Sequence, residues 1–213
     1  MLFRSKSDQV RQSLASSLEN LRTSYVDSLV MHGPEDNWDD MLEVWMTFEE
    51  LVDSGKVKQI GISNFYHAPA VKFLYEKVRI KPAVVQNRFY GDTNYDVEIR
   101  KFCLEKGIEY QTFWTLGANR HFTSHETVKQ LAKDRRVSPE AVLYALVMKL
   151  GHTPLDGTTS LEHMKEDIEL VERIRSNKNG YYEEEIVSDA DLPGLLEILG
   201  IPPSDDVDEE EEL

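Results

Sequence analysis

Five short apolar runs of this chain each stop on residues able to hold a ligand. They are His32, Ser63-Asn64, Gln86-Asn87, Phe113-Trp114 and Gly157-Thr158-Thr159. Together they offer an imidazole, hydroxyls, amides and an aromatic face. If the runs are parallel strands, their C-terminal ends lie at one rim of a sheet, where βα folds gather functional side chains. Five such ends in register read as the lining of a pocket for a planar, hydrogen-bonding ligand. Other candidates carry less. His121 and His125 are four apart, as a helical metal pair would be, but no third ligand is placed, and the reading is of no metal site. Cys103, between Phe102 and Leu104, reads as a small buried apolar residue and not as a nucleophile.

The elements that must position those ends follow from periodicity. Val10, Leu14, Leu18 and Leu21 line one face of a helix over 8–22, and the run Ser28 to His32 reads as a buried strand stopped by Gly33-Pro34. Trp38, Met41, Leu42, Trp45, Phe48, Leu51 and Val52 form a wide helical stripe, read as the inner face of a helix ending at Ser54-Gly55. The alternation continues with a strand over 56–62, a helix near 67–78, a strand over 83–86, a helix near 94–106 and a strand over 108–114. Helices near 124–134 and 138–150 come next. In the second, Ser138 can cap and Pro139 suits the first turn. A short strand over 153–156 and a helix near 160–175 complete the pattern. Strands that are apolar throughout, alternating with helices, indicate a parallel sheet covered by helices, hence an α/β fold with about five βα units. Periodicity alone allows either a doubly wound sheet or part of a (β/α)-barrel.

Composition narrows the partners. The chain has 213 residues and a net charge of -15, but thirteen of its acids fall in residues 181–213, where no Lys or Arg occurs, so the first 180 residues are near neutral. Residues 1–180 therefore read as the folded portion, and 181–213 as an acidic tail, partly disordered apart from one short docked helix over Leu192 to Leu199. No basic stripe is available for nucleic acid, and no apolar run approaches a membrane span. A single cysteine and no secretory apolar segment after Met1 point to the cytoplasm.

The same residues resemble a known family, the aldo-keto reductases, in particular fungal members. The resemblance is carried by Gln9 to Leu14 with Leu18 and Leu21, by Tyr25 to His32, and by Gly55-Lys-Val-Lys-Gln-Ile-Gly-Ile-Ser-Asn-Phe65. It continues through Pro82 to Asn87, Tyr110 to Leu116, and Gly157-Thr-Thr with Glu166-Asp167. Order and spacing agree from about residue 9 to 175, and the block from Gly55 to Phe65 is specific. The resemblance implies strands 4 to 8 of a (β/α)8 TIM barrel that binds NADP(H), with NAD(H) not excluded, without a Gly-rich dinucleotide motif. It implies that Ser63, Asn64 and Gln86 hold the nicotinamide carboxamide and that Phe113, with Trp114 beside it and Thr115 and Leu116 following, supplies the stacking ring. Residues Gly157, Thr158, Thr159, His163, Glu166 and Asp167 would clasp the adenosine 2′-phosphate.

Departures from the family pattern are equally specific. The usual Lys near the last strand is absent from Pro154-Leu155-Asp156, the usual Arg is matched by His163, and the usual Glu-Asn pair reads Glu166-Asp167. Loss of cationic donors weakens a phosphate site. Of the family's catalytic Tyr, Lys, Asp and His, only the substrate-orienting His has a match, His32. The expectation is therefore an N-terminally truncated aldo-keto reductase, acting on a small carbonyl substrate if active, with catalysis by this chain impaired. A non-catalytic cofactor-binding or protein-interaction role is the alternative. Open barrel edges would favour self-association.

Overall fold

The computed structural model describes residues 5–177 and 185–201. Five strands, β1 (Val26–Met31), β2 (Val57–Ser63), β3 (Val84–Arg88), β4 (Glu109–Phe113) and β5 (Thr153–Pro154), form a sheet of order β1-β2-β3-β4-β5. The β1–β2, β2–β3 and β4–β5 pairs are parallel. Helix α1 (Lys6–Leu21) precedes β1; between the strands run α2 (Trp38–Asp53), α3 (Ala68–Lys77), α4 (Val97–Lys106), the short α5 (Thr115–Ala118) and α6 (Arg120–Thr123), α7 (Glu126–Arg135) and α8 (Pro139–Lys149); α9 (Leu161–Asn177) and α10 (Leu192–Leu199) follow β5. This is the α/β alternation expected from the sequence. Among the described residues no helix is long and apolar enough to cross a membrane.

The chain divides into two compact units, each with its own core. The first comprises the residues up to Asn87 together with Glu98–Tyr110. Its helix α2 buries Met41, Val44, Trp45, Phe48 and Leu51, the three-and-four spacing that put them on one face. Asn37 starts that helix by accepting from the Asp40 amide at 2.9 Å. Trp45 is fully buried, and its indole N–H donates to the Ile80 carbonyl at 3.0 Å, which removes the polar cost of burying it. Trp38, read from sequence as part of the inner stripe, is instead 38% exposed: it opens the helix and tilts against Phe73, with ring centroids 4.5 Å apart. Strands β2 and β3 approach so closely at Gly61 that a Cβ there would lie 2.6 Å from the Val84 carbonyl oxygen, which is why β2 carries glycine at that position. Within the same unit Glu109, the first residue of β4, donates its amide to the Ala83 carbonyl at 2.9 Å.

The second unit comprises Arg88–Val97 and the described residues from Gln111 on. Helix α8 is buried from Ala141 to Val147, capped by Ser138, whose hydroxyl accepts from the Ala141 amide, with Pro139 in the first turn. Leu195, Leu196 and Leu199 of α10 are buried in the same core, as the docked helix required, and Gly200 ends it in the left-handed region. The helix expected near 94–106 is in fact preceded by a separate turn. Asn94, Tyr95 and Asp96 are three consecutive left-handed residues, and α4 begins only at Val97. The buried Tyr95 ring packs on Phe89, and its hydroxyl donates to Asn119 Oδ1 at 2.9 Å, which holds that turn in place. Of the acidic tail read from sequence over 181–213, residues 181–184 and 202–213 lie outside the described residues.

Candidate functional site

In the first unit the site is built around Asn64, which follows the end of β2. Its backbone is left-handed (φ 59), a conformation Asn tolerates better than most residues, and its amide N–H donates to the Gln86 carbonyl at 3.1 Å. Asn64 Nδ2 donates to the His32 carbonyl at 2.6 Å and lies 3.2 Å from Ser63 Oγ, while Oδ1 accepts from the Tyr66 hydroxyl at 3.1 Å. The strand ends that carry His32, Ser63, Asn64 and Gln86 are thus cross-linked by one residue, through the side chain of Asn64 to His32 and Ser63 and through its backbone amide to Gln86. Both Nδ2 hydrogens are engaged, and Oδ1 keeps one lone pair for an incoming N–H. Beneath it, buried Asn87 grips the Phe65 backbone on both sides, accepting from its amide at 3.0 Å and donating to its carbonyl at 2.6 Å. This fixes the turn on which Ser63 and Asn64 sit. The His32 imidazole is exposed and lines a cavity of about 560 Å³ with Lys6, Gln9, Met31 and Glu35, where Lys6 pairs with Glu35.

The second unit holds a groove of about 700 Å³. Phe113, Trp114, Thr115, Leu116, Gly157, Thr158, His163, Glu166 and Asp167 all line it; of the residues singled out from this half of the sequence, only Thr159 does not. Trp114 is the left-handed residue that ends β4 (φ 56), and its indole lies under the Arg88 guanidinium, 4.3 Å from the ring centroid. Gly117 makes room for that indole: a Cβ there would come within 2.5 Å of Trp114 Nε1. At the opposite wall Thr158 Oγ1 accepts from the Ser160 amide at 3.1 Å, and Ser160 Oγ accepts from the His163 amide at 3.4 Å, so the first turn of α9 is capped by its own side chain.

The groove is acidic. Glu140, Asp156, Glu166 and Asp167 line it with one histidine, His163, and no Lys or Arg is among the lining residues. Partial burial, then a hydrogen bond and repulsion from Asp156 and the charge of Glu166, push the Asp167 carboxyl up to about 6, with His163 opposing. Tyr144 donates to Asp156 at 3.3 Å, and its hydroxyl is raised well above the usual phenol range by burial and by Asp156. Ser138, Glu140, Tyr144 and Asp156 are lining residues that sequence reasoning did not assign to the site. The first three sit in or beside a helix whose near-continuous apolarity hid its one polar edge, whereas the strand-end position of Asp156 was a usable signal. His125, half of the speculative metal pair, is a helix cap, its Nδ1 accepting from the Thr127 amide at 3.3 Å. Among the described residues no three His, Cys, Asp or Glu side chains group to hold a metal.

A sequence model described as "Aldo/keto reductase family" matches residues 1–181. The chain belongs to the aldo/keto reductase family. Among curated aldo/keto reductase relatives it is 29% identical over 187 residues to aldose reductase of Encephalitozoon cuniculi, covering 77% of this chain and 61% of that one. It is 28% identical over 194 residues to glycerol 2-dehydrogenase (NADP(+)) of Hypocrea jecorina, covering 78% and 60%. The chain therefore spans about three fifths of the length of these relatives. Among solved structures, an aldo-keto reductase enzyme from a Medee basin deep-sea metagenome library superposes with a TM-score of 0.77 at 18% identity, over 93% of this chain and 68% of that one. That likeness concerns the fold, which is that of part of the aldo/keto reductase barrel.

Proposed function

We propose that this aldo/keto reductase chain binds a nicotinamide dinucleotide, NADP(H) or NAD(H), and serves carbonyl–alcohol oxidoreduction. The observation that carries the reading is the Asn64 clamp, an amide held by three hydrogen bonds on a left-handed turn, with Ser63 beside it and one lone pair of Oδ1 still free. A planar carboxamide is the group such an arrangement complements, with Gln86 on the neighbouring strand end. The bound cofactor would supply hydride. His32 is assigned the orientation of the substrate oxygen, and Phe113 in the second unit offers an aromatic face. No Tyr, Lys and Asp set matches the rest of the family's catalytic group, so the chain by itself is assigned weak or no turnover. Titration of the purified chain with NADH and NADPH, followed by protein fluorescence, tests the binding. Saturable quenching that Asn64→Ala weakens supports it, and no quenching by either cofactor with folded protein refutes it. Rapid reduction across an aldehyde panel would refute the assignment of weak turnover while leaving binding intact.

A second reading is favoured by one feature of the first unit: among the described residues, β1 ends the sheet with no strand on its outer edge. A non-catalytic role in association through that edge follows from it. Sedimentation over a hundredfold range of concentration decides, since a mass that stays monomeric throughout rules the reading out.

A further inference from the structure

The family's cofactor clasp and this groove disagree about charge. A ribose 2′-phosphate carries nearly two negative charges at neutral pH, and protein sites meet it with guanidinium, ammonium or unoccupied helix N–H groups. The groove of the second unit has no guanidinium or ammonium group among its lining residues. Its lining holds Glu140, Asp156, Glu166 and Asp167, no Lys and no Arg, and the His163 amide in the first turn of α9 is already bonded to Ser160 Oγ. The nearest cations stand outside that lining: Arg88 is stacked on the Trp114 ring, 4.3 Å from its centroid, and Arg136 and Arg173 line an adjoining cavity together with Ser138, Glu166 and Glu169. Arg173 is committed there to the Arg135 carbonyl at 2.7 Å. What the groove does supply is chemistry for a neutral, hydroxyl-rich ligand edge: carboxylate acceptors on Asp156 and Asp167, the Thr158 hydroxyl, and the Trp114 and Phe113 rings as a flat wall.

We infer that the groove selects a nucleotide with an unphosphorylated ribose, so that this chain takes an NAD(H)-type rather than an NADP(H)-type cofactor, with Asp156 and Asp167 excluding the 2′-phosphate. The inference rests on the nucleotide-binding reading proposed above. It adds an element of specificity that works by repulsion as well as by fit: the carboxylates accept from a 2′-hydroxyl and repel a phosphate at the same position. Because Asp156, Glu140 and Glu166 are exposed, the repulsion is screened by salt.

The test is a binding titration, independent of turnover, of the full chain with NADH, NADPH, ADP and adenosine 2′,5′-bisphosphate at low and high salt. Folding is checked by circular dichroism in the same samples. NADH binding about tenfold tighter than NADPH at low salt is expected from a few screened charge pairs, the gap closing as salt rises. ADP should compete better than the 2′,5′-bisphosphate. The double variant Asp156→Asn, Asp167→Asn should bring NADPH close to NADH without weakening NADH by a comparable factor. NADPH binding as tight as NADH or tighter overturns the inference while sparing the nucleotide-binding reading. If Arg136→Ala then abolishes that binding, the neighbouring cavity is shown to be the phosphate's seat. Binding of neither cofactor by folded protein overturns both.

Discussion

Replacing Asp167 by Asn should stabilise the protein at neutral pH and do progressively less as the solution is acidified. In the folded chain the Asp167 carboxyl is raised from 3.8 to about 6, first by partial burial and then by Asp156. A carboxyl with a raised folded-state value makes its full contribution to stability below the unfolded value, near pH 4, and loses it as pH climbs through about 6. Above that range Asp167 is ionised beside Asp156 and the fold carries the repulsion. The bare shift corresponds to about 3 kcal/mol at 1.36 kcal/mol per unit, a ceiling that solvent screening at a half-buried site reduces to about 1 kcal/mol. With a urea slope of about 2 kcal/mol per molar, Asp167→Asn should raise the unfolding midpoint by about 0.5 M at pH 7.5, and by much less near pH 4.5. Urea titrations of both proteins at those two pH values, followed by circular dichroism, give the answer. An equal offset at both, or a larger one in acid, would refute the placement of Asp167 against a second carboxylate.

Substitutions at three further positions test the scaffold. Trp45→Ala removes a fully buried indole and orphans the Ile80 carbonyl, and should cost about 3–5 kcal/mol, read as a fall in the urea midpoint; a loss under about 1 kcal/mol would mean the ring is not the anchor of the first core. Gly61→Ala drives a methyl group into the Val84 backbone and should cost about 1–3 kcal/mol, seen as a lower melting temperature, and a neutral result would show that β2 and β3 do not meet this closely. Asn94→Gly relieves the first of three successive left-handed residues and should leave thermal stability unchanged or up to about 1 kcal/mol higher, whereas Asn94→Val should lower it; the reverse order would contradict the turn.

How far the sequence disclosed this arrangement depends on which physical rule governs each part. Helix α2 was legible because Met41, Trp45, Phe48 and Leu51 repeat at helical spacing, and β2 because Ile60 to Ile62 is a short run buried on both faces, bounded by polar residues. The turn over Asn94 to Asp96 was not, since nothing local requires left-handed backbone there: a tertiary bond from Tyr95 to Asn119 holds it. Trp38 was misread because periodicity assigns a face but does not register that the first residue of a helix overhangs the core. In the groove, residues at strand ends and in the loop before α9 were found by the rule that function gathers there. Tyr144, Glu140 and Ser138 come from a helix that otherwise faces the core, and only the tertiary fold shows that one edge reaches the groove.

The residues that depart from the family pattern are informative for the same reason. A single missing Lys or Arg in a sequence is compatible with a cation arriving from elsewhere, as side chains from distant elements often share a site. That escape is limited once the lining is known, because Asp156 stands just after the last strand, Asp167 faces it from α9, and Tyr144 of α8 spends its hydroxyl on Asp156 and brings no positive charge. The substitutions therefore act in one direction, each lowering the potential of the same groove. The carboxylates of Asp156 and Asp167 suit a ligand edge that donates hydrogen bonds, which the contrast between ADP and adenosine 2′,5′-bisphosphate tests directly.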